Sequence, residues 1–134
     1  MLNDILTISI SEKYIGSSGC VNRTHYLNLL MEAQNISLIK HKISFDDIEK
    51  KNNIHFVQRA FSIEFIKPLF LNDEVVIKIS IPTLGLSSFV LKQEITKNNQ
   101  IVTTAQTVYV AVDNSKNKIL LPDSIRTLFS LKKG

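Results

Sequence analysis

Seven consecutive residues, Gly16-Ser17-Ser18-Gly19-Cys20-Val21-Asn22, lead into a long apolar stretch that carries His25, Tyr26 and Glu32. Two glycines and two serines make a turn-prone loop, and Ser18 and Asn22 are both residue types that cap helix N-termini. The first N–H groups of a helix have no intrahelical acceptor, and the helix dipole is positive there. These residue types predict main-chain donors around Cys20, Val21 and Asn22 that can polarise a carbonyl oxygen as negative charge develops on it. An ordinary capped helix start is the plainer reading and stands level with it.

Attack on such a carbonyl needs an activated water or nucleophile. Glu32 is the nearest carboxylate on the stretch, but it lies ten positions after Asn22, roughly 15 Å along a helix axis. A buried structural carboxylate is the favoured alternative for it. Cys20 sits where a helix N-terminus lowers a thiol pKa, yet no histidine is obviously paired with it, and a small pocket-lining residue is the simpler account. His25 reads as an exposed or rim histidine able to donate to an oxygen or a phosphate. Asn22 can orient a water through its side chain or serve only as a cap. Gly16, Gly19 and Tyr26 complete the candidate pocket wall. Arg59, Lys67, Lys92 and Lys97 read as solvated lysines and arginine, and Phe56, Phe61, Phe65, Phe70 and Phe89 as core.

Other chemistries find little support. Cys20 is the only cysteine, which rules out an intrachain disulfide and cysteine zinc sites. His41 and His55 make no metal-spaced pair with Asp46 or Asp47, and neither a metal nor a cofactor is expected. The net charge of +4 is scattered apart from Lys132-Lys133, with no basic face interleaved with aromatics, so nucleic acid is disfavoured. No apolar run reaches the ~18 residues needed to span a bilayer. Met1-Leu2-Asn3-Asp4 shows neither a basic nor an apolar leader region, so the expected location is the cytoplasm. At 134 residues, 44% hydrophobic and 21% charged, the chain suits one globular domain over residues 1–134.

Residues 5–10 read as a first strand, and 21–40 as a helix apolar on most sides and hence buried. Residues 45–51 follow as a short amphipathic helix ended by Asn52-Asn53. Alternation then marks strands over 56–66, 74–81, 86–96 and 101–112. Asn98-Asn99 is a hairpin turn signal, 113–118 a polar turn and 122–129 a terminal helix. One strand, one long helix and an antiparallel meander argue an α+β sheet wrapped around that helix. A six-stranded wrap is too small to enclose it, so a homodimer or homotetramer through an edge strand is expected. The strand ending near Ile81 or opening near Leu86 is the candidate interface.

The loop and helix, with Val21, Asn22, Tyr26, Leu27, Glu32 and Ala33 in order, resemble the signature of hotdog-fold thioesterases of the 4-hydroxybenzoyl-CoA thioesterase type. Phe61-Ser62-Ile63-Glu64-Phe65-Ile66-Lys67-Pro68 before Leu71-Asn72-Asp73-Glu74 is similar to that family's strand and turn. Ser87-Ser88-Phe89, Gln93-Glu94-Ile95 and Val110-Ala111-Val112-Asp113 before Leu121-Pro122 continue the similarity. The resemblance implies a hotdog fold and hydrolysis of an acyl-CoA or acyl-carrier-protein thioester at a dimer-interface pocket. It also implies an aspartate three positions before the helix-entry glycine and a histidine just after it, where this chain has Gly16 and Cys20. Other hotdog enzymes place a carboxylate base on this helix, which would be Glu32 serving a neighbouring subunit's loop. Two alternatives stay open: a non-hydrolytic acyl-thioester binding or scaffold protein, and a dehydratase using His25 with Glu32.

Overall fold

The computed structural model describes residues 3–130; Met1, Leu2 and residues 131–134, with Lys132 and Lys133, lie outside the described residues. Strands β1 (Asn3–Ser9), β2 (His55–Phe65), β3 (Glu74–Leu84), β4 (Ser88–Lys97) and β5 (Gln100–Val112) form one antiparallel sheet in the order β1-β3-β4-β5-β2. Helix α1 (Arg23–Lys40) lies against one face, followed by α2 (Phe45–Asn52), with α3 (Asp123–Ser130) near the end and a 3-10 turn at Glu12–Tyr14. The described sheet therefore has five strands, not six. Each corresponds to one of the strand runs expected from the sequence.

The period of the strands decides which side α1 covers. Val75, Ile77, Ile79 and Ile81 of β3 and Phe89, Leu91 and Ile95 of β4 are buried in alternate positions. Tyr26, Leu29, Leu30, Ala33, Ser37 and Leu38 are the buried row of α1. Each fully buried Leu, Ile or Phe contributes about 1.5–3 kcal/mol relative to exposure. Polar side chains also cross between helix and sheet: buried Gln93 donates from Nε2 to the Leu30 carbonyl at 2.9 Å, and buried Gln34 donates from Nε2 to the Tyr109 hydroxyl at 3.0 Å. At the far end of α1, buried Asp4 accepts from Ser37 Oγ at 2.8 Å and from Lys40 Nζ at 3.1 Å, with His41 Nε2 3.6 Å away. The first strand thus begins earlier than the apolar run suggests, because Asp4 points inward and is paired there.

Turn chemistry behaves as the residue types dictate. Asn98 and Asn99 adopt φ of 52° and 62° between β4 and β5, and Asn53 ends α2 at φ 59°. Asp113 Oδ1 accepts from the backbone N–H of Ser115 and Asn117 at 2.9 Å each, closing the polar turn.

Three expectations change. Among the described residues α1 is covered on one side only, leaving Leu27 44% and Met31 43% exposed. The strands proposed as the interface, β3 and β4, are interior and paired on both sides; the sheet edges are β1 and β2. Phe61, Ile63 and Phe65 of β2 pair with Thr107, Ala105 and Thr103, which are buried, so they face the same side as α1. Phe61 and Phe65 are nevertheless 42% and 45% exposed, and Phe70 is exposed too. They are not core.

Replacing Leu29, fully buried on α1, by alanine should lower unfolding free energy by about 2–5 kcal/mol in a urea titration. A loss within about 0.5 kcal/mol, the level of a surface change, would contradict the packing described.

Candidate active site

The loop between the 3-10 turn and α1 is stitched down at its second half. The Val21 N–H donates to the Leu69 carbonyl at 2.9 Å, and Cys20 bridges Phe70 in antiparallel fashion. Ile15 bridges Val21, Gly16 N donates to the Cys20 carbonyl at 2.9 Å, and Gly19 N donates to the Gly16 carbonyl at 3.1 Å. Gly19 turns the chain at φ +88°, a conformation that favours glycine. Cys20 Sγ lies 3.3 Å from Ser18 Oγ and is half-buried.

Asn22 is the N-cap of α1. Its Oδ1 accepts from His25 N at 3.0 Å and its carbonyl accepts from Tyr26 N at 3.0 Å. Because Oδ1 must face the helix, Nδ2 faces Gly16. A Cβ built on Gly16 would lie 2.7 Å from Asn22 Nδ2. The carboxamide thus stands where a side chain at position 16 would begin.

One of the expected main-chain donors is already engaged. Val21 N–H is spent on Leu69 and cannot serve a substrate. The first two helical residues, Arg23 and Thr24, have backbone N–H groups with no acceptor among the described residues. The Asn22 cap was the available signal, since capping begins the helix at the next residue.

Beside these donors lies a cleft of about 400 Å³ lined by Val21, Arg23, Tyr26, Phe65, Ile66, Lys67 and Pro68. Tyr26 is buried and meets the Phe65 ring edge-on at 4.9 Å between centroids. Burial pushes the Tyr26 hydroxyl pKa up, keeping it protonated. Lys67 Nζ is held 2.8 Å from Gln100 Oε1 at the rim. Lys67 and Phe65, expected as solvated surface and core, are walls of the cleft because the end of β2 and its turn place them there. A cleft of similar volume on the opposite face of the sheet, between Ser62, Glu64, Lys92, Thr104 and Gln106, is on strands away from these donors.

The remaining candidates do not gather here. Glu32 is part-exposed, not buried. Its carboxylate accepts from the Tyr14 hydroxyl and from Lys13 Nζ at 3.1 and 3.0 Å. The Tyr14 hydrogen bond, and then that of Lys13, hold the Glu32 carboxyl below its ordinary range. His25 is half-buried with Nδ1 enclosed and unpartnered, and makes no contact with Glu32. His55 Nε2 lies 2.8 Å from Asn114 Oδ1 on another part of the surface. Among the described residues no three His, Cys, Asp or Glu side chains group to hold a metal ion, and no helix is long and apolar enough to cross a membrane.

A five-stranded antiparallel sheet curved over one long helix, with a loop feeding that helix's exposed N-terminus, defines a hotdog fold. Solved structures share it: a 1,4-dihydroxy-2-naphthoyl-CoA thioesterase from Synechocystis superposes with a TM-score of 0.87 at 20% identity, covering 98% of this chain and 99% of that one. A 4-hydroxybenzoyl-CoA thioesterase variant in complex with 4-hydroxybenzoyl-CoA gives 0.81 at 18% identity over 96% and 99%. The chain matches the Thioesterase superfamily over residues 18–104, more than half its length, and belongs to that family. A 1,4-dihydroxy-2-naphthoyl-CoA hydrolase from Nostoc punctiforme is 28% identical over 110 residues, which are 81% of this chain and 74% of that protein.

Asn22→Ala should cost about 1 kcal/mol of stability by freeing the His25 N–H, while Asn22→Ser, still a capping residue, should recover most of it. Equal thermal midpoints for wild type and Asn22→Ala would contradict the cap.

Proposed function

We propose that this thioesterase hydrolyses aromatic acyl-CoA thioesters in the cleft between the N-terminus of α1 and the end of β2. The carrying observation is the pair of unengaged N–H groups of Arg23 and Thr24 beside a cleft walled by Tyr26 and Phe65. Preorganised backbone donors at a helix mouth are worth most when they meet charge that appears only in the transition state. The thioester oxygen accepts from these N–H groups, and water adds to the carbonyl carbon. The tetrahedral intermediate then expels the thiolate of coenzyme A as the C–S bond breaks.

Asn22 orients the attacking water through Nδ2. Its position beside Gly16, where a Cβ would reach 2.7 Å, supports this role. Gly16, Gly19, Cys20, Val21 and Tyr26 shape the pocket, and His25, on the first turn of α1, stands at its rim. Amide groups cannot accept the water's proton, so the proton passes to solvent and the rate follows hydroxide. Arg23 and Lys67 put two cations at the rim, which suits the anionic carrier; the relatives named above act on CoA thioesters. An acyl carrier protein presenting the same thioester is the alternative carrier.

Residues 1–134 form one catalytic domain in this reading, acting in the cytoplasm as a homodimer or a homotetramer built from it. A second copy of the chain along the free edge of β2 would cover exposed apolar side chains of β2 and α1, namely Phe61, Phe65, Leu27 and Met31. Light scattering should then return a mass at least twice that of the chain.

The test is thiol release from a panel of benzoyl-type and aliphatic acyl-CoAs. Turnover should favour the aromatic esters and rise with pH at a slope near one between about pH 6 and 9. Gly16→Ala, which pushes the Asn22 amide aside, and Asn22→Ser, which keeps the cap, should each lower kcat/KM about tenfold. A folded wild type that binds the esters without releasing thiol would favour a non-hydrolytic acyl-thioester binding protein.

A further inference from the structure

Glu32 is engaged in a way that a general base would not be. It lies on the third turn of α1, 18 residues from Tyr14 in sequence, and its two oxygens take the Tyr14 hydroxyl and both Lys13 contacts. Tyr14 itself is buried, and the Lys13 ammonium sits 5.1 Å above its ring centroid. An exposed Lys–Glu pair contributes little by itself. The phenol-to-carboxylate bond is charge-assisted and belongs to a side chain anchored in the core, so it has a defined geometry.

Tyr14 stands two residues before Gly16, on the first leg of the loop that enters the site. The second leg is fixed by Val21 to Leu69 and by the Asn22 cap. The first leg holds to the second through backbone bonds at residues 15–21, and its side-chain ties to α1 are those of Tyr14 and Lys13 to Glu32. The separation of Gly16 from the Asn22 amide is already tighter than a methyl group allows. A shift of the first leg by a fraction of an ångström moves one against the other.

We propose that Glu32 is a positioning residue: with Tyr14 and Lys13 it clamps the entry loop to α1 and sets Gly16 against Asn22. This rests on the reading of that loop as the thioesterase site. The carboxylate need never lose or gain a proton. Held below its ordinary range, it stays ionised throughout neutral pH and releases the clamp only as pH falls through that lowered value.

Two measurements on the intact protein test it. In aryl-CoA hydrolysis, Glu32→Ala and Tyr14→Phe should each lower kcat about tenfold with KM little changed, as expected when misplacement of an ångström or less is at stake. Glu32→Gln keeps a carbonyl oxygen for the Tyr14 hydroxyl and should retain most of the activity. If Glu32→Gln falls as far as Glu32→Ala, Glu32 is a base and the clamp is overturned. Amide exchange gives an answer independent of turnover. The Gly16 and Gly19 amides, both hydrogen-bonded within the loop, should exchange about tenfold faster in Glu32→Ala and Tyr14→Phe, with Leu30 and Ala33 unchanged. Exchange unaltered at the glycines, or raised equally along α1, overturns the clamp. Faster loop exchange in a protein whose wild type releases no thiol would sustain the clamp and remove the hydrolytic reading.

Discussion

Burial of α1 in the curve of the sheet determines where everything else at the site falls. Leu29, Leu30 and Ala33 pack against the inward rows of β3 and β4, and Gln93 ties a mid-helix carbonyl to β4. With the helix axis so constrained, its first turn emerges beside the end of β2. That places two unpaired N–H groups next to Tyr26 and Phe65 without any special residue at the donor positions. The scaffold supplies the electrostatics, and the side chains around it supply shape.

The same arrangement explains how the chain can lack a carboxylate at position 16 and keep an ordered site. A glycine there leaves space that the Asn22 amide fills, and Asn22 is fixed because its other atom caps the helix. One residue thus serves both the helix and the space before it. In the proposed reaction the cost is chemical: an amide orients water but takes no proton, so that reaction would depend on polarising the carbonyl more than on activating the nucleophile. Glu32 does not compensate from its own chain, since Tyr14 and Lys13 occupy it and about 15 Å of helix separates it from the cap.

Much of the fold was legible because local signals agreed with the final packing. The alternation of Val75, Ile77, Ile79 and Ile81, the Asn98-Asn99 turn and the Asn22 cap each have a local cause and appear as expected. What failed depended on neighbours distant in sequence. Which strands lie at the edges follows from β5 pairing with β2 across about fifty residues, which alternation does not encode. The spent Val21 N–H depends on Leu69, and the ligation of Glu32 depends on Tyr14. Phe65 alternates like a core residue and is inward-facing, but among the described residues the Tyr26 ring covers it only in part, leaving it 45% exposed.

The central claim is that backbone donors at the mouth of α1 polarise a thioester carbonyl. Its most direct test is isotope-edited infrared spectroscopy of a benzoyl-CoA analogue bearing a 13C carbonyl and a methylene in place of sulfur, bound to the wild-type protein. The account predicts a carbonyl band at lower wavenumber than for the analogue in water, because the helix-end N–H groups draw charge onto the oxygen. A bound analogue whose band lies at or above its position in water would contradict it.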